Sequence, residues 1–161
     1  VGIRNSHDRS FAAGLALGNR VFVCDNLSFS GEVTLARRHT RHVWRDLPQL
    51  VTRAVGQLGG ARRLQEQRIA AYRETELATT HVNDLVIDAL DARVISSSQV
   101  GKVLAEYRAP RYAEFRSPTA WNLFNAFTEI IKGIRPDALC RRTQSLHGII
   151  DGACRLDVQA V

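Results

Sequence analysis

Hydrophobic positions follow two rhythms along this chain. In the first forty residues they alternate or run together. The stretch "RVFVCDN" (20–26) sets Val21, Val23 and Asp25 on one face and Phe22 and Cys24 on the other, which predicts a strand covered on both sides. Past Asn26, "SFSGEVTLARR" places Gly31 at a turn and lets Val33 and Leu35 alternate with Thr34 and Ala36. The two stretches predict an antiparallel hairpin. "SHDRSFAAGLALGNR" predicts a short helix capped by Ser6 or Asp8, stopped by Gly18 and Asn19 and packed through Phe11, Ala12 and Leu15; "VGIRN" predicts a further strand.

From Val43 onward the spacing becomes helical. Candidate helices fall at about 43–58, 61–78, 81–92, 98–108, 118–132 and 138–151. Gly59-Gly60 predicts a break between the first two. Thr80 predicts a cap for the stripe Val82, Leu85, Val86 and Ala89, and Ser96 to Ser98 precede the fourth helix. Ser117-Pro118 reads as a cap with a first-turn proline, and Gly133 as the stop of "TAWNLFNAFTEIIK". Trp121, Phe124, Phe127, Ile130 and Ile131 share that helix at core spacing, while "RAPRYAEFRSP" (108–118) reads as an exposed crossing loop. The expected fold class is α+β, a small antiparallel N-terminal sheet packed against a mainly helical C-terminal part. One domain is expected over 1–161, strand-rich over 1–42 and helical over 43–161.

Composition adds bounds to this picture. The chain has 161 residues, 45% apolar and 24% charged, enough to bury a core of its own. It begins at Val1 and contains no methionine, so a fragment of a longer protein is expected. No apolar run reaches the roughly 20 residues of a membrane helix, and the expected compartment is the cytoplasm, with no membrane partner. Cys24, Cys140 and Cys154 are odd in number and form no CxxC pair, which argues against a disulfide framework or a structural zinc site.

Charge points to a partner. The net charge is +6, and arginine supplies 20 of the 22 basic residues. Arg37, Arg38, Arg41 and Arg45 stand in a window without an acid, interleaved with His39, His42 and Trp44. Arginine offers a planar, permanently charged fork that suits phosphate, and an aromatic ring there can stack on an unpaired base. These seven residues are the candidate nucleic-acid surface. Elsewhere Arg62, Arg63, Arg68 and Arg73 sit near Glu66, Glu74 and Glu76, the pattern of a solvated helix face. Lys132, Arg135, Arg141 and Arg142 form a weaker second patch.

Two segments also carry a family resemblance. "GIRNSHDRSFAAGLALGNRVFVCDNLSFSGEVTLARRHT" and "WNLFNAFTEIIKG" resemble the phage/plasmid-like proteins, a domain-of-unknown-function family of bacteria, phages and plasmids. The likeness covers nearly all of residues 2–42 and a second block at 121–133, and Arg4-Asn5-Ser6-His7-Asp8 and Val23-Cys24-Asp25-Asn26 are its most specific strings. It implies an intracellular protein of mobile elements, with no catalytic residues to carry over.

Three functions are consistent with these readings. The first is a mobile-element protein that binds nucleic acid non-specifically, DNA before RNA, in support of replication, recombination or protection, without a cofactor. The second is a metal-dependent nuclease using His7, Asp8 and Asp25. Its polar site would comprise Arg4, Asn5, His7, Asp8, Asp25 and Asn26, with magnesium as the cofactor of this reading alone. The third is an interaction module acting on a host defence protein through the same basic surface. Self-association stays open, and the sequence leans against an enzyme.

Overall fold

The computed structural model describes the backbone of residues 2–4, 13–16, 19–20, 27–28, 34–37 and 43–156, and the side chains of 45–135 and 138–156. Five helices build it: α1 (Val43–Glu74), α2 (Thr79–Asp91), α3 (Ser97–Arg108), α4 (Ala120–Ile131) and α5 (Pro136–Ala153). A single 3₁₀ turn, Ala113–Phe115, lies in the crossing segment before α4, and its Phe115 is buried.

α4 is the centre of the bundle and is buried nearly all round, its Asn122, Asn125 and Thr128 included. Leu123, Phe124, Ala126, Phe127 and Ile131 are all 0–1% exposed, as a helix surrounded by others requires. α1, α3 and α5 pack against it, and α2 packs between α3 and α5. Among the described residues the core runs from Tyr72 to Ile150, on these helices and the turns that join them. On α2 the buried stripe is Val82, Leu85, Val86 and Ala89, the four positions the periodicity selects.

The expected α+β class is overturned by this core. Upstream of α1 the described backbone consists of strand segments two to four residues long: β1 (Gly2–Arg4), β2 (Ala13–Ala16), β3 (Asn19–Arg20), β4 (Leu27–Ser28) and β5 (Thr34–Arg37). They pair antiparallel in the orders β1-β2-β5 and β3-β4. Pieces this short supply no layer of the described core, and the packed structure is helical, 78% helix in five helices. The hairpin is corrected as well. Thr34–Arg37 pairs with Ala13–Ala16, a segment expected in a helix, while Arg20 pairs with Leu27. Residues 21–26 lie outside the described residues.

Helix ends depart from expectation in three places. α1 continues for 32 residues through Gly59-Gly60. Glycine weakens a helix by about 1 kcal/mol relative to alanine, but Ala61-Arg62-Arg63 offers no capping side chain to begin a new one. The inward face also keeps its phase across the pair, through Leu50, Ala54, Ala61, Gln65, Arg68 and Tyr72. α2 begins at Thr79 with Ala78 as its cap residue. α4 begins two residues past Pro118, where the Thr119 hydroxyl accepts from the Asn122 N–H at 3.3 Å. Pro118 serves a different purpose: its carbonyl accepts from Leu77 N–H at 2.8 Å, and Ala120 N–H donates to Thr75 O at 2.9 Å. This clamp fixes the end of α1 to the start of α4.

Ahead of α3, the Gln99 carboxamide oxygen accepts from the Ser96 N–H at 2.9 Å, one half of a capping box. Among the described residues, no helix is long and apolar enough to cross a membrane.

Candidate functional site

Two features concentrate polar chemistry: the arginine-rich approach to α1, and a charged network sealed between α1 and α5.

Of the candidate nucleic-acid residues, Arg37 closes β5, and Trp44 and Arg45 lie in the first turn of α1. Arg38, His39, Arg41 and His42 lie outside the described residues, as does the Trp44 side chain. Arg45 is exposed, with 79% of its side chain accessible, and its Nε stands 3.7 Å from Asp46 Oδ1. That contact is solvent-screened and leaves the guanidinium available to a polyanion. Of the candidate polar site, Arg4 closes β1, and Asn5, His7, Asp8, Asp25 and Asn26 lie outside the described residues, as does Cys24. Among the described residues, no group of three His, Cys, Asp or Glu is placed to hold a metal ion. The second basic patch is partly engaged. Arg142 Nη1 donates to Val94 O at 3.1 Å, and Lys132 Nζ contacts Glu129 Oε1 at 2.6 Å.

The network corrects the reading of Arg68. Its expected place on a solvated face is taken by a buried one: its side chain is 8% exposed, and that of Asp151, its partner across 83 residues, is 6%. Arg68 Nη2 and Nε donate to Asp151 Oδ2 at 2.7 and 2.9 Å, and Nε reaches Oδ1 at 3.1 Å. The Tyr72 hydroxyl donates to the same Oδ1 at 2.6 Å, and lies 3.0 Å from His147 Nδ1. Counting protons fixes the tautomer. The Tyr72 proton is committed to a carboxylate, so His147 Nδ1 carries the hydrogen that the phenol oxygen accepts, which leaves Nε2 a bare acceptor. Nε2 is buried with no hydrogen-bond partner among the described residues.

Environment moves the titrations of His147 and Tyr72 away from neutral pH. Burial, and secondarily the Arg68 charge, push the His147 pKa down to about 3, so the ring is neutral at ordinary pH. Burial first, then the hydrogen bond and charge of Asp151, raise the Tyr72 phenol far above its usual range, against the opposing pull of Arg68. The imidazole stacks on Phe124 with centroids 4.7 Å apart, and Phe124 stacks on Trp121 at 6.0 Å. Arg73 covers the Trp121 ring at 5.4 Å. Beside the network, the Cys154 thiol is raised by burial and by Asp151, with its hydrogen bond to Thr75 opposing, so it is held protonated rather than poised as a nucleophile. The network couples α1 to α5 through one buried carboxylate and its donors.

The sequence did carry a signal for it. On α5 the inward positions Leu139, Thr143, Leu146, His147, Ile150 and Asp151 recur at helical spacing, and three of the six are polar. Polar residues in the phase of an apolar stripe must find buried partners. Gln65, Arg68 and Tyr72 supply the matching pattern on α1.

No family model, no curated protein and no solved structure matches this chain.

Proposed function

We propose that the protein binds nucleic acid, DNA before RNA, through phosphate contacts without marked sequence preference, in support of replication, recombination or protection of a mobile element's DNA. The observation that carries this reading is the acid-free run of Arg37, Arg38, Arg41 and Arg45, which ends in an exposed guanidinium on the first turn of a long helix. Four arginines without an intervening carboxylate raise the local potential well above that of a mixed surface, and a phosphate backbone is the polyanion that such a potential recruits. The resemblance to phage/plasmid-like proteins supports the mobile-element setting.

The test is fluorescence anisotropy of labelled DNA and RNA at two salt concentrations, comparing the protein with a variant in which the four arginines become alanine. Binding should weaken with salt, and the log–log slope should shrink by about 0.9 for each phosphate contact removed. Binding indifferent to salt, or unchanged in the variant, would overturn the proposal and turn attention to an acidic protein partner.

A further inference from the structure

Residues 37–65 hold seven arginines and one carboxylate, Asp46, a surplus of six that equals the net charge of the entire chain. The other 132 residues then share fifteen of the 22 basic and fifteen of the 16 acidic side chains, and are neutral as a set. Most of this segment is helix: residues 43–65 form the N-terminal two thirds of α1. Between Asp46 and Glu66 there is no acid, and Arg53, Arg62 and Arg63 are all exposed. Arg62 is engaged along the helix by Glu66 at 2.9 Å.

At 100° per residue, the side of α1 away from Leu50, Ala54, Arg68 and Tyr72 carries Gln49, Thr52, Arg53, Gly56, Arg63 and Gln67, every one of them exposed. Arg45 and Arg63 lie along one flank of this side and Arg53 along the other. Arg45 and Arg63 are 18 residues apart, about 27 Å along the axis. Between the flanks lie Gly56, Gln49 and Gln67, and the surface is lowest at Gly56, where a built Cβ would meet nothing within 4 Å.

We infer that this side of α1 enters the major groove of duplex DNA, with Arg45 and Arg63 toward one phosphate strand, Arg53 toward the other, and Gly56 with Gln49 and Gln67 toward the groove floor. The inference rests on the nucleic-acid reading above and names its polymer. The charge surplus selects a polyanion. The shape selects the duplex: the major groove of B-form DNA is about 12 Å wide, close to the width of a helix with its side chains, and the missing side chain at Gly56 leaves room for the groove floor. Arginine donates to phosphates and base edges, and glutamine and threonine both donate and accept at base edges. The major groove of double-stranded RNA is too deep and narrow to admit the same face.

The test compares duplex DNA, duplex RNA and single-stranded DNA of equal length by anisotropy, using the intact chain and the variants Gly56→Leu, Gly56→Ala and Arg53→Ala/Arg63→Ala. Circular dichroism and thermal melting serve as folding controls. Duplex DNA should bind about tenfold tighter than either other polymer. Gly56→Leu, whose side chain projects into open space, should melt no lower than the parent yet lose about tenfold on duplex DNA. Gly56→Ala should lose less, and the double arginine variant should lose at least as much as Gly56→Leu. Equal affinity for single strands, or Gly56→Leu binding like the parent, overturns the groove inference. If in that case the four-arginine variant of residues 37–45 still loses binding, the broader reading stands. A folded parent that binds none of the three polymers overturns both.

Discussion

Asp151 collects three donor groups on one buried carboxylate, the Arg68 Nε and Nη2 and the Tyr72 hydroxyl. Removing one partner of such a pair strands the other charge away from water. Asp151→Ala should therefore cost about 3–5 kcal/mol in urea denaturation, whereas the joint replacement Arg68→Met/Asp151→Leu should cost much less than the sum of the two single changes. Additive losses would mean that the two groups do not depend on each other. His147 gives a pH signature. Its folded pKa of about 3 lies below the unfolded value near 6.5, so the unfolded chain binds the proton first. The stability from its neutral form is present above about pH 6.5 and is lost as pH falls toward 3, by about 1.4 kcal/mol per unit. In His147→Gln this component vanishes, so the stability gap between parent and variant should narrow on acidification. A constant gap from pH 7 to pH 4 would show that the ring is not held neutral.

At the level of elements, α1 shows how a local stop signal is outvoted. Glycine pairs end helices when a capping residue follows to start the next element, and here none does. The continuous inward phase on both sides of Gly59-Gly60 rewards an unbroken helix through packing of Ala54 upstream and Gln65, Arg68 and Tyr72 downstream. Gly59→Ala should consequently raise stability by about 0.5–1 kcal/mol, because its Cβ meets Arg63 only at ordinary contact distance. Destabilisation by that change, read from the thermal midpoint, would mean a backbone conformation at Gly59 that alanine resists. α4 presents the opposite case. Its stripe of Phe124, Phe127 and Ile131 was legible as core from spacing alone, because large apolar residues at i, i+3 and i+7 share one face that must be covered.

Across the whole molecule, charge and packing divide the chain differently. The core lies between Tyr72 and Ile150, and the positive surplus lies between residues 37 and 65. α1 belongs to both, its C-terminal third anchored by Arg68 and Tyr72 and the outer side of its N-terminal part exposed. A basic arm fixed to a stable bundle keeps its arginines at set positions along about 27 Å of helix, so binding orders fewer groups than a free tail would.

The sequence by itself determined where helices would form after Val43, which faces of α2 and α4 would be buried, and where the charge would gather, because each of these follows from local periodicity or from counting. It misplaced Arg68 on a solvated face, cut α1 at its glycines and assigned the chain to the α+β class. Those outcomes belong to tertiary structure. Whether an arginine is solvated depends on a carboxylate 83 residues away, and whether a glycine pair ends a helix depends on packing at both ends of it. The class, in turn, depends on which elements supply the shared core, and here the helices do.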